Sequence, residues 1–167
     1  MSLSVRRATG DDAAGIARVY NAGIAERVAT FETEPRTADD VRARMRDARP
    51  EHVTLVAVDS DDEVLGAAWL TAYSQRPAYA GVAEFSVYVG EAARGHGVGT
   101  VLMAGLLQNA QGAGLHKLTS RVFVENRASR SLLGSLGFLE VGVHRRHARL
   151  DGQWRDCVVV ERLLGDG

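Results

Sequence analysis

Residues 87–100 restrict what this chain can fold into more than any other stretch. Val87-Tyr88-Val89 has strand character, Gly90-Glu91-Ala92-Ala93 leads away from it, and Arg94-Gly95-His96-Gly97-Val98-Gly99-Thr100 is a basic, glycine-rich turn. Val98, Val101, Leu102 and Leu106 then fall at helical spacing, so the turn ends on a helix N-terminus. Alternate glycines let backbone amides approach a ligand, and the free N–H groups and positive dipole end of a starting helix favour an anion. Strand, anion loop and helix in this order imply a β-α-β unit, and therefore a sheet with helices packed on its faces.

Two better-known glycine loops fit less well. A Walker-type loop ends in Gly-Lys-Ser/Thr, whereas Gly99-Thr100 has no lysine before it. A dinucleotide fingerprint spaces its glycines G-x-G-x-x-G and places an acid about 20 residues on. Here the glycines fall at 95, 97 and 99, and residues 110–117 contain no acid. A plain tight turn before a helix is the remaining alternative.

The elements around the loop read β α α β β β α β α β β, an α/β chain with a mixed sheet. Residues 4–8 form a short strand, and Thr9 with Asp12 three later is a capping arrangement for a helix over 11–21, apolar at Ala13, Ile16, Ala17 and Tyr20. Residues 23–35 have no period and read as a linker. Thr37-Ala38-Asp39-Asp40 starts a second helix through Val41 and Met45, stopped by Pro50. Residues 53–58 and 64–70 make an antiparallel hairpin, and 73–81 is a loop. Along 82–89, Glu84, Ser86 and Tyr88 share one face and Phe85, Val87 and Val89 the other. Gly112 and Gly114 stop the helix after the glycine loop; residues 118–124 return as a strand parallel to 82–89. Asn126 opens a fourth helix closed by Gly137, with Phe138 packing back, and strands 139–150 and 153–163 flank the hairpin turn Asp151-Gly152. No repeat or linker divides the chain, so one domain over residues 1–167 is expected.

The composition is that of an ordinary soluble domain, 46% hydrophobic and 25% charged with a net charge of -1. No apolar run approaches the roughly 20 residues of a membrane span, and the N-terminal residues lack a secretory core, so a cytoplasmic location is expected. The arginines at 42, 44, 46 and 49 and at 145, 146 and 149 are balanced by acids and read as solvated faces rather than a nucleic-acid footprint. The single cysteine, Cys157, excludes an internal disulfide and reads as a small core residue on a strand. His144 and His147, three apart on a strand, are expected on opposite faces, and no metal is predicted.

The pattern Arg94-Gly95-His96-Gly97-Val98-Gly99 resembles the R/Q-x-x-G-x-G/A signature of the GNAT N-acetyltransferases. Asn126-Arg127-Ala128-Ser129 followed by Leu136-Gly137-Phe138 is similar to a second segment of that superfamily, and the element order agrees with its fold. A narrower resemblance is to the phosphinothricin and arsinothricin acetyltransferase branch. It rests on Tyr20-Asn21, on Ala29-Thr30-Phe31-Glu32-Thr33-Glu34-Pro35, on Arg76-x-Ala78-Tyr79, on Glu84-Phe85-Ser86-Val87-Tyr88-Val89 and on Gly152-Gln153-Trp154-Arg155-Asp156.

That resemblance implies an enzyme moving an acetyl group from acetyl-CoA to the α-amine of a small amino acid or analogue, without metal, membrane or nucleic acid, and as a homodimer. It assigns acetyl-CoA to Val87, Tyr88 and Val89, to Arg94, Gly95, His96, Gly97, Val98, Gly99 and Thr100, and to Asn126 and Ser129. The acceptor falls to Phe31, Ser74, Gln75, Arg76, Tyr79, Glu84, Phe85 and Ser86. A carboxylate at Glu84, just before the loop on the strand nearest the thioester, suits a general base. An ion-pair role for Glu84 is the competing reading. Arg76 would clamp the acceptor carboxylate; Ser74 stands where the branch is often basic, which leaves recognition of a second anionic group open. Leu133 occupies the position of the tyrosine that protonates the thiolate in many relatives, and Tyr88 is a weak substitute. Three rival functions remain at this level: a protein N-terminal or ribosomal-protein acetyltransferase, a noncatalytic acyl-CoA sensor, and an arginine-based nucleic-acid module.

Overall fold

Alternation along the strands builds one seven-stranded sheet with helices on both faces. The computed structural model describes residues 2–165; residues 1, 166 and 167, at the ends of the expected 1–167 span, lie outside the described residues. The strands are β1 (Ser4–Arg7), β2 (Thr54–Val58), β3 (Val64–Ala72), β4 (Val82–Val89), β5 (Lys117–Phe123), β6 (Leu139–Leu150) and β7 (Gln153–Leu163). In space they run β1-β2-β3-β4-β5-β7-β6. Only β4 and β5 pair in parallel, across the crossover helix α3 (Val98–Gly112). The other helices are α1 (Ala13–Glu26), α2 (Ala38–Asp47) and α4 (Arg127–Ser135).

The period of two in β4 divides the interior. Phe85, Val87 and Val89 face α3, whose Leu102, Met103 and Leu106 are completely buried in the larger core. Burying each contributes about 1.5–3 kcal/mol, an upper bound because the unfolded chain already hides some surface. Tyr88 faces the other way and joins Trp69, Val56 and Ile16 beneath α1 and α2.

One irregularity positions the site. β4 and β5 pair only at Val82–Lys117, Ala83–Leu118 and Glu84–Thr119, although β4 continues to Val89 and β5 to Phe123. β5 stays with β7 along its whole length, from Lys117–Leu163 to Phe123–Cys157, so the strands part beyond Glu84.

Helix ends follow the local sequence. Thr37 and Asp40 form a reciprocal capping box on α2. Gly137 takes a left-handed φ of 85°, with Phe138 N donating to Leu133 O and Gly137 N to Gly134 O, the expected Schellman closure of α4. Asp151 and Gly152, both at positive φ, turn β6 into β7.

Three expectations need correction. α1 runs to Glu26 rather than ending at residue 21, because Ile24 is buried and Gly23 lies against the Tyr88 ring, where a Cβ would approach Cδ1 to 2.8 Å. Packing there outweighs the helix penalty of glycine. Arg44 is not on a solvated face: three residues from buried Val41, its guanidinium stacks 4.3 Å over Trp69, and burial pushes its pKa down to about 10. His144 and His147 share a face, their rings stacked at 4.5 Å. Between pairs His144–Cys157 and Ala148–Arg155, three β6 residues lie opposite Asp156, with Arg146 at φ 47°, and this bulge breaks simple alternation.

Asp12 ties the first strand to α1. Its carboxylate accepts from Thr9 N at 2.7 Å and from two Arg6 nitrogens at 2.8 and 3.0 Å, and its side chain is 6% exposed. The Arg6 guanidinium holds its carboxyl below the usual range. Asp12→Ala should lower stability at pH 7 by about 2–3 kcal/mol, read from denaturant midpoints. Because the folded pKa is depressed, this contribution is complete above the unfolded value of about 3.9 and is lost as pH falls through the folded value. The difference between variant and wild type should therefore shrink in acid.

Candidate active site

The gap between β4 and β5 opens into two adjoining cavities. Ser120 Oγ donates to Phe85 O at 3.0 Å across it, so the polar groups of Phe85 face β5. Leu70 N, opposite Phe85, donates to Val53 O just before β2 rather than to β4, which fits a non-hydrogen-bonded pair. By the period of two, the amides and carbonyls of Val87 and Val89 face the same way, beyond the last residue that pairs with β5.

The cavity over the glycine loop has a volume of 440 Å³ and is lined by Val87 to Val89, Arg94, Gly95, Gly97 to Thr100, Asn126 and Ser129. Gly95 and Gly97 sit at φ 78° and 80°, conformations that L side chains rarely adopt, and a Cβ on either would meet open space. α3 starts directly afterwards, and its first intrahelical bond runs from Val101 N to Gly97 O. The amides of Val98, Gly99 and Thr100 precede that bond, as an anion site requires. Arg94 is held by Glu26 at 2.6 Å and donates to Val89 O at 3.3 Å, and Glu26 raises its pKa. These donors and the missing Cβ atoms fit the pyrophosphate of acetyl-CoA. His96 does not line the cavity.

The second cavity, 430 Å³, shares Ala29, Val87, Tyr88, Asn126 and Ser129 with the first. Glu84, Phe85 and Ser86 form one wall, and Phe31 packs edge-to-face on Phe123 at 4.7 Å. Asn126 caps α4 by accepting from Ser129 N at 3.2 Å, and its Nδ2 donates to Val28 O at 3.3 Å, fixing the α1–α2 connection over the opening. Leu133 is buried at this wall and offers no proton. Burial pushes the Tyr88 hydroxyl well up, which makes it a poor acid. Cys157 also borders the cavity, but burial raises its thiol pKa and leaves it inert.

The loop before β4 is placed differently from expectation. Ser74, Gln75 and Arg76 border neither cavity; Gln75 accepts from Arg49 at 3.3 Å, and Arg76 N donates to Ser74 Oγ within a turn. Tyr79 borders a third cavity of 530 Å³, which shares Glu84, Ser120 and Arg121 with the second. Sequence reasoning missed Arg121 and His147. Arg121 reaches Glu84 at 3.4 Å and His147 Nε2 at 3.1 Å, and both basic residues border the Glu84 cavity. The available signal was a charge at position 121 between Thr119 and Phe123, both buried on the same strand face. Among the described residues, no cluster of three or more His, Cys, Asp or Glu could hold a metal, and no helix is long and apolar enough to cross a membrane.

Known proteins similar to this chain in sequence and fold are acetyltransferases. Phosphinothricin N-acetyltransferase of Streptomyces coelicolor is 33% identical over 166 residues, covering 97% of this chain and 96% of that protein. The L-methionine sulfoximine/L-methionine sulfone acetyltransferase of Pseudomonas aeruginosa is 32% identical over 98% of this chain and 96% of its own length. The crystal structure of a GNAT superfamily phosphinothricin acetyltransferase from Sinorhizobium meliloti with AcCoA superposes with a TM-score of 0.93 at 27% identity, over all of this chain and 91% of that one. The sequence pattern of the acetyltransferase (GNAT) family matches residues 17–138, and the chain belongs to that family.

Proposed function

We propose that this chain transfers the acetyl group of acetyl-CoA to the α-amine of a small amino acid or amino-acid analogue, acting as one catalytic domain over its length. The observation that carries this reading is the continuity of the two cavities through Val87, Tyr88 and Asn126, with Glu84 at the far end. A thioester arm entering from the glycine loop meets an acceptor pocket at that junction. The relatives named for phosphinothricin and methionine sulfoximine support an amino-acid acceptor.

Acetyl-CoA supplies an activated acyl group when bound. The amides of Val98 to Thr100 and the Arg94 guanidinium would hold its pyrophosphate, and the Val87 and Val89 edge would pair with its arm. Glu84 takes the proton that the acceptor ammonium must lose before its nitrogen can attack. Leu133 carries no proton to give and the buried Tyr88 hydroxyl is a poor acid, so solvent protonates the departing thiolate. Phe31 and Phe123 form the apolar wall beside the acceptor.

Two finer features belong to the same proposal. β6 ends the sheet and exposes Leu139, Val141 and Val143, with Leu163 exposed on β7, an apolar edge suited to a homodimer and open to a test by sedimentation. N-acetylation removes the charge of an amine, which suits a cytoplasmic enzyme that inactivates an antimetabolite amino acid. A panel of free amino acids and analogues, assayed for CoA release, tests the substrate class. Release with none of them, against acetylation of a peptide N-terminus, would replace this reading with the protein N-terminal one.

Glu84→Gln keeps the size of the side chain but cannot accept the proton. Turnover should fall about 10²–10⁴-fold with acetyl-CoA affinity nearly intact. Wild-type turnover across the pH range would place the base elsewhere. Gly97→Val forces a side chain into a left-handed backbone, and Gly99→Val brings a Cβ to 3.0 Å from Leu132 Cδ2. Either should weaken acetyl-CoA binding by about tenfold or more while far-UV circular dichroism is unchanged, because the loop backbone must shift to relieve about 1–2 kcal/mol of left-handed strain at 97 or the crowding against Leu132 at 99. Unaltered affinity in a folded variant would remove the loop from the binding site.

A further inference from the structure

We infer that Arg121, held in place by His147, is the group that recognises the free α-carboxylate of the acceptor. This rests on the amino-acid reading above and narrows it to acceptors that carry an unblocked carboxylate. Glu84 and Thr119 are partners in the last β4–β5 pair, so their side chains share a face, and Arg121 lies two residues further along that same face. Its Nη2 stands 3.4 Å from Glu84 Oε1, longer than the roughly 2.7–2.9 Å of a closed charge-assisted bond. An α-amino acid is itself an ammonium and a carboxylate separated by one carbon. Glu84 and Arg121 present the complementary pair at the wall of the acceptor cavity.

The guanidinium is oriented from its other side. Nη1 lies 3.1 Å from His147 Nε2, a bond that needs a neutral imidazole accepting at that nitrogen. Burial, His144 and Arg121 lower the His147 pKa and favour that form. Those two contacts occupy two of the five N–H donors of the guanidinium and leave a planar fork for a carboxylate. A structural role explains the arginine less well, because half-exposed ion pairs contribute little to stability. Arg76 borders neither the acceptor cavity nor the cofactor cavity of its own protomer.

The experiment measures kcat/KM for an acceptor found in the amino-acid panel and for its carboxamide, in wild type, Arg121→Met and Arg76→Met. Wild type should prefer the acid, and Arg121→Met should reduce the acid-to-carboxamide ratio roughly 10- to 100-fold, the range of a charge-assisted contact, while Arg76→Met keeps it. His147→Leu should raise KM for the acid more than for the carboxamide, and His147→Gln, which still offers an acceptor, should restore it. If Arg121→Met acetylates with an unchanged ratio, or wild type does not distinguish acid from carboxamide, the assignment falls while the amino-acid reading stands. Equal effects of Leu and Gln at 147 on both acceptors would overturn the positioning role. A panel in which wild type acetylates no amino acid overturns the underlying reading and this one with it.

Discussion

The early end of β4–β5 pairing governs the architecture of the site. A parallel pair normally buries its hydrogen-bonding groups in a continuous ladder. Here the ladder stops at Glu84–Thr119, and β5 remains committed to β7 for its full length. The Val87 and Val89 edges are thereby left for a ligand, Glu84 stands at the apex of the opening, and the α3 N-terminus lies at its mouth. Core packing keeps the gap from closing, because Phe85, Val87 and Val89 are anchored on α3 while Val122 and Val158 extend the same core beneath β5 and β7.

Much of this was legible in the sequence because the signals were local. The glycine loop, the Thr37 and Asn126 caps, the Gly137 closure and the Asp151-Gly152 turn each depend on a few consecutive residues, and all of the strands fall within a few positions of the expected ones. The alternation of β4 placed Tyr88 opposite Phe85 and Val87, as their two separate cores show.

What the sequence hid depends on tertiary pairing. Nothing near Gly23 reveals that the Tyr88 ring will cover it and carry α1 onward to Glu26. Arg44 looks like its neighbours until Trp69, from a strand many residues later, lies beneath it. The two histidines follow strand parity on paper and lose it through a bulge whose existence depends on how β6 meets β7. Family resemblance drew attention to Arg76, whereas the guanidinium beside Glu84 comes from β5.

That bulge bears on how acceptor choice can change over time. Arg145 to His147 lie opposite Asp156 alone, with Arg146 N held by the Asp156 carboxylate at 2.8 Å. Side-chain parity reverses with every one-residue shift of register. A one-residue insertion or deletion there would exchange which β6 side chains meet the cavity and which meet water, leaving the glycine loop and Glu84 in place. The hairpin is thus a part of the fold where lineage divergence can remodel one substrate pocket by length rather than by substitution.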